Sequence, residues 1–218
     1  MDLRKLGNFL LWTTILVGLV AGALRLFLVR TWTIPADDPA LASAIEPTLS
    51  AGDVVLVLHA GNPGFGELVR CTDPDEPRRW VVGRIVGEGG DTVEIRGPNV
   101  IVNGRKAPTE TACAPAQIKI PHPNTGEPVD ARCDMEDLGA SLHMRAYGGQ
   151  DPYGRDRAPI KRSVQPGFFF LLSDNRNHRF DSTTYGAVPV ETCDARIIFR
   201  LWSAKGFGDA EERFEWIN

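Results

Sequence analysis

The chain has 218 residues, 43% of them hydrophobic and 24% charged, with a formal net charge of -4. That is enough apolar material for one full core, or one core with a small satellite, and it excludes a disordered chain. Lys and Arg are scattered and the balance is acidic, so there is no basic stripe to neutralise phosphates, and nucleic acid is not an expected partner.

Residues 1–7 read as a short N-terminal tail carrying Arg4 and Lys5. Residues 8–29, NFLLWTTILVGLVAGALRLFLV, follow as an apolar run long enough to cross a hydrocarbon core about 30 Å thick. Arg25 alone interrupts it, about one turn from its end, where the stem can lie along lipid while the guanidinium reaches the headgroups. Trp12 and Trp32 stand where interfacial anchors stand. The run reads as an uncleaved transmembrane anchor, because apolar residues continue past Ala21-Gly22-Ala23. A cleaved secretory signal is the competing reading, with that triplet or Ala42-Ser43-Ala44 as its small-residue site. Both readings bring the remainder of the chain to a membrane or out of the cytosol. Charge does not orient the anchor, since Arg4 and Lys5 on one flank face Arg25 and Arg30 on the other.

Residues 30–218 read as one β domain. Short β-branched runs separated by turns predict strands at VVLVL, ELVRC, RWVVGRIVG, DTVEIRG, NVIVNG, GFFFLLS and ARIIFRLW. Asn103-Gly104 after an apolar run predicts a hairpin with a primed turn, and Gly89-Gly90-Asp91 predicts a turn before TVEI. At least two of Phe168, Phe169 and Phe170 are expected in the core. Residues 109–162 are rich in Pro, Gly and charge and read as an extended insertion over that core. Cys113 and Cys133 bracket a turn-rich excursion that a disulfide can staple in an oxidising compartment. Cys71 and Cys193 sit in apolar contexts and are expected as ordinary buried thiols. His59, His122, His143 and His178 are dispersed and no Cys/His spacing suits a metal, so neither metal nor cofactor is expected.

Three blocks stand out together behind the anchor: IEPTLSAGDVVLV (45–57), GRIVGEGGDTVEIRGPNVIVNG (83–104) and SDNRNHRFDSTTYGAVP (173–189). In this order they resemble the bacterial type I signal peptidases, or leader peptidases, Ser/Lys enzymes that cut leader sequences from exported proteins at the membrane surface. The resemblance implies a mostly β fold, an antiparallel signal-peptidase-like β core with a long insertion, preceded by one N-terminal transmembrane helix. It also implies attack by a serine hydroxyl with a neutral lysine as general base. In the family's Ser-Met-x-Pro-Thr-Leu the nucleophile falls on Ala44, and a second serine, which supplies an oxyanion-hole hydroxyl, falls on Ala42. The lysine falls on Gly83, beside Arg84. In the third block the family's Gly-Asp-Asn becomes Ser173-Asp174-Asn175, which keeps the two polar residues that shape the loop, the serine that orients the base falls on Arg179, and an arginine of the family falls on Thr183, leaving Asp181 and Ser182 in place. The segment before the first block, ADDPALASA, stands where the family has a tripeptide.

The expected binding framework is therefore Ala42, Arg84, Asp174, Asn175, Arg176, Asp181 and Ser182, with Arg84 paired to Asp174 and Asp181 bracing its loop against Arg179 or Arg176. The functional expectation is a single-pass inner-membrane protein with its C-terminal domain on the outer, periplasmic face. It lacks the dyad, a pseudopeptidase that binds leader peptides by strand addition or serves a partner peptidase. One alternative is an active peptidase with Ser43 as displaced nucleophile. In an extended segment that slip needs a bulge, and the base would have to come from Lys106, Lys119, Lys161 or a histidine. The other alternative is a non-catalytic envelope scaffold whose 113–133 excursion binds a partner.

Overall fold

A computed structural model describes residues 3–139, 141–148, 158–178 and 180–217, with the side chains of residues 3–5 and 24–27 excepted. Arg179 and the guanidinium of Arg25 therefore lie outside the described residues. Helix α1 (Leu3–Phe27) begins inside the predicted tail, and its stretch Leu6–Ala23 is long and apolar enough to cross a membrane and is nowhere buried against the described residues. Thr13 and Thr14 donate to the carbonyls of Phe9 and Leu10 at 2.8 and 2.9 Å, which hides their hydroxyls within the helix as hydrocarbon surroundings require. Only Leu28 separates α1 from the first strand.

After β1 (Val29–Thr33) and helix α2 (Pro39–Ala44) come β2 (Val54–Leu58), β3 (Leu68–Thr72), β4 (Trp80–Gly87), β5 (Thr92–Arg96), β6 (Asn99–Val102) and β7 (Arg105–Lys106). The insertion holds β8 (Thr109–Pro121), β9 (Pro128–Asp137) and β10 (Leu142–Tyr147), followed by β11 (Ile160–Ser163) and β12 (Phe168–Leu172). Helix α3 (Ser182–Tyr185), β13 (Val188–Pro189), β14 (Ala195–Trp202) and β15 (Glu215–Trp216) complete the order. The main antiparallel sheet runs β1-β2-β14-β3-β4-β12-β13, with β15 beside the C-terminal half of β14. A second sheet runs β11-β5-β6-β7 and a third β10-β9-β8. The predicted strands all form, and the mostly β expectation holds.

Burial follows the sequence pattern. β2 alternates, with Val55 and Val57 buried, whereas β4 is buried along nearly its whole length and reads as a continuous apolar run. Phe169 and Phe170 are buried and Phe168 half-buried, as predicted. At the hairpin between β6 and β7 both Asn103 (φ 52°) and Gly104 (φ 79°) are left-handed, the signature of a primed turn.

One expectation gains detail and one changes. The described part of the insertion holds a three-stranded sheet, with β9 pairing on both edges, to β8 from Thr109↔Glu136 to Pro121↔Pro128 and to β10 from Leu142↔Asp137 to Tyr147↔Arg132. Cys71 and Cys193 are not free thiols: they are joined, with Cα atoms 3.9 Å apart, because β3 and β14 are neighbours with Arg70 opposite Ala195. Cys113 and Cys133 are joined across β8 and β9.

Candidate functional site: a buried charge network

The segment expected to be extended is helical. Asp38 caps α2 by accepting from the Leu41 N–H at 3.0 Å, and Pro39 occupies the first helical position, where its missing N–H costs nothing. Arg79 clamps the same carboxylate with two bonds of 2.7 Å from Nε and Nη2. Burial alone raises the Asp38 pKa, but Arg79 outweighs it and holds the carboxyl below its ordinary value. Leu41, Ala42, Ser43 and Ala44 are all buried. A one-residue shift on a helix turns a side chain by about 100°, so the face-flip argument for Ser43 does not apply here. The Asp-Pro pair before an Ala-Leu-Ala run is the capping signal that sequence reading passed over.

Ser43 is 3% exposed, and its Oγ has long contacts of 3.4 Å to the Pro121 carbonyl and to Asn175 Nδ2. Asn175 Nδ2 also donates to the Ser43 carbonyl at 2.8 Å, and the Asn175 N–H donates to the Ala44 carbonyl at 3.0 Å. Among the described residues no amine or imidazole hydrogen-bonds to Ser43 Oγ; Lys106, Lys119 and Lys161 are exposed on β7, β8 and β11. His122 and His178 share with Ser43 and Asn175 the lining of a cavity of about 20 Å³, room for about one water.

Gly83 lies inside β4, opposite Val69 of β3. A Cβ there would stand 3.1 Å from Leu171 Cβ and 3.2 Å from the Leu172 carbonyl oxygen, so glycine lets β12 approach β4 closely. Its neighbour Arg84 is 1% exposed and donates from Nε to both oxygens of Asp174, at 2.9 and 3.2 Å, confirming the expected pair. Arg84 Nη1 reaches Ser141 Oγ at 2.8 Å and the Gly66 carbonyl at 3.2 Å. Thr48 closes the other side of Asp174, donating to Oδ2 at 2.6 Å.

The insertion completes this network with residues that sequence reading did not single out as a site. From β9 and β10, Glu136 and His143 come up beneath Asp174, with His143 Nε2 3.5 Å from both Glu136 Oε2 and Asp174 Oδ1. Arg176 and Arg145 hold the two oxygens of Glu136, and Arg145 also clamps Asp134 at 2.6 and 3.1 Å. Burial pushes the Glu136 carboxyl up, yet Arg176, His143 and Arg145 bring it down to about 2. Burial, and then the charge of Arg84, lowers the pKa of His143, which leaves its ring neutral at pH 7. No spacing rule links Glu136 and His143 to a loop some thirty residues further on; alternation along β9 and β10 is the only trace they leave in the sequence. Beside the network, Thr48, Arg84 and His143 form part of the lining of a cavity of about 410 Å³, with Met135, Met144 and Trp216 among its apolar members.

The rest of the expected framework serves the backbone. Asp181 does not pair with Arg176, which turns instead to Glu136 and the Ser173 carbonyl. Asp181 caps α3 by accepting from the Thr183 N–H at 2.9 Å and takes the Ser173 N–H at 3.0 Å. Thr183 donates its hydroxyl to Asp181 at 2.6 Å, and Ser182 Oγ accepts from the Leu171 N–H at 2.9 Å.

Comparison with known proteins points to the same family as the three sequence blocks. Residues 6–202 match the family described as signal peptidase, peptidase S26, and the chain belongs to that family. It is 24% identical over 209 residues to a signal peptidase I of Aquifex aeolicus, covering 84% of this chain and 79% of that protein. A signal peptidase I of Bacillus caldolyticus is 23% identical over 199 residues, covering 90% and 92% of the two chains. A probable signal peptidase I-2 of Synechocystis is 25% identical over 205 residues, covering 90% and 73%. Membership supports a role in signal-peptide processing.

Proposed function

We infer that the protein is a membrane-anchored pseudopeptidase of this family, which holds leader peptides of exported proteins without cutting them. One observation carries the reading. Ala44 and Gly83, the residues that the resemblance aligns with nucleophile and base, offer a methyl group and bare backbone, while the nearby Ser43 hydroxyl contacts a carbonyl and an amide. Loss of both members of a serine dyad leaves only the residual acceleration from binding groups, on the order of 10³ to 10⁴ over water in serine proteases.

The means of binding is a strand edge. β12 pairs with β4 only over Arg84–Gly87 and crowds Gly83, so among the described residues no strand pairs with Trp80–Val82 on the edge away from β3. An extended leader can add there through backbone hydrogen bonds. The apolar cavity beside Thr48 and Arg84 gives side chains room that the small cavity at Ser43 does not. The two disulfides support placement of the domain in an oxidising compartment, the outer face of the inner membrane, with α1 as a single-pass anchor for residues 30–218.

The test is equilibrium binding of a fluorescent synthetic leader, an apolar run ending in Ala-x-Ala, to full-length protein in detergent. Saturable binding with the peptide recovered intact is the expected result. No binding under conditions where an active relative binds removes the reading.

A further inference from the structure

The open edge of β4 is not empty space. Past Leu172 the chain leaves β4 and turns into Ser173-Asp174-Asn175, so β4 and this loop diverge as two sides of a wedge. Helix α2 fills it. It packs against β4, with Leu41 and Ile45 in one apolar cluster with Val82 and with Val55, Val57, Leu68 and Ile197 of the neighbouring strands, and it is fastened to the loop by Asn175, which bonds the carbonyls of Ser43 and Ala44. The other edge of the loop is taken too. Ala146 of β10 gives its N–H to the Asp174 carbonyl at 2.9 Å and accepts from the Arg176 N–H at 2.7 Å.

The geometry points to α2 as an internal plug: Pro39–Ala44 occupies the wedge in which a leader would lie as an added strand, and peptide enters as α2 leaves. This rests on the leader-binding reading above. Two features suit α2 to leaving. It is only six residues long, far below the length at which a helix is stable alone, so it persists through its contacts. And its N-terminus depends on one carboxylate, Asp38, which serves both as cap and as partner of Arg79. The strands beneath keep their own ladders and the Cys71–Cys193 bridge when α2 leaves, while Leu41 and Ile45 are withdrawn from the apolar cluster they share with the sheet.

A protein whose competent state is a minor one binds with an affinity reduced by the fraction competent. Removing the pin should therefore tighten binding. In full-length protein, Asp38→Ala should bind the synthetic leader about tenfold more tightly than wild type, in line with the loss of a helix cap. Hydrogen exchange on the wild type gives a second readout that needs no variant. Saturating peptide should speed exchange at the amides of Ala42 and Asn175, which are bonded to Asp38 and Ala44 in the plugged state. Equal affinity of the two proteins, or slower exchange at both amides with peptide, overturns the plug and leaves leader binding intact. If neither protein binds, the leader reading falls, and the plug with it.

Discussion

The main sheet and the seam between it and the inserted sheet solve the same problem with opposite chemistry. The sheet is closed by apolar side chains such as Val55, Ile85, Leu171 and Phe170, none of which needs a particular partner. The seam is closed by Arg84, Asp174, Glu136, His143, Arg145 and Arg176, all at most 6% exposed, and each depends on another of the set. Apolar packing degrades gradually when a group is removed, whereas a buried charge that loses its partner incurs its full desolvation cost. A disulfide lies on each side of this divide, Cys71–Cys193 within the sheet and Cys113–Cys133 within the insertion.

The contrast is broken most forcefully at the bridges. Cys71 and Cys193 are 122 residues apart in sequence and Cys113 and Cys133 only 20, so loop-closure entropy assigns them about 5 and about 3 kcal/mol. Denaturant unfolding of the two paired Cys→Ser variants should show that order. Next comes the seam itself. Glu136→Ala leaves Arg145 and Arg176 without their shared carboxylate and should cost about 3 to 5 kcal/mol, with hydrogen exchange rising first across 109–147.

Acidity separates the regions by sign. The folded pKa of His143 lies below its ordinary 6.5, so its contribution is present above that value and is lost as pH falls. Glu136, brought down from 4.5 to about 2, loses its contribution as pH drops further through that range. Glu46, at the end of α2, behaves in the opposite way. Burial, reinforced by Asp53 and Glu212, raises its pKa from 4.5 to about 7. Its contribution is complete below about 4.5 and lost as pH rises through about 7. Glu46→Gln should therefore gain about 3 kcal/mol at pH 8 and little at pH 4.5, read from unfolding midpoints. The smallest effect is at Gly83. Gly83→Ala crowds Leu171 and the Leu172 carbonyl and should cost about 1 to 3 kcal/mol. For the same reason, combining Ala44→Ser with Gly83→Lys should restore no cleavage.

The apolar region was the legible one. Alternation and β-branched runs located β2, β3, β4, β12 and β14 of the main sheet, and Asn103-Gly104 located a hairpin of the second sheet, because those signals are local. Arg84 and Asp174 were foreseen as partners only through the resemblance, which carries long-range information that periodicity lacks. The contribution of Glu136, His143 and Arg145 was not legible, because strand pairing rather than spacing brings them under the third-block loop. Cys71 and Cys193 failed for the same reason: their apolar surroundings fit a buried thiol as well as a buried bridge. Helix α2 was missed although Asp38-Pro39 announces it, since six residues are too few for a visible period.

The most direct test is turnover of an exported preprotein by the full-length protein in detergent, at enzyme concentrations up to equimolar with substrate. The leader should stay attached throughout, in wild type and Ser43→Ala alike. Cleavage after a small residue that disappears in Ser43→Ala would contradict the pseudopeptidase reading.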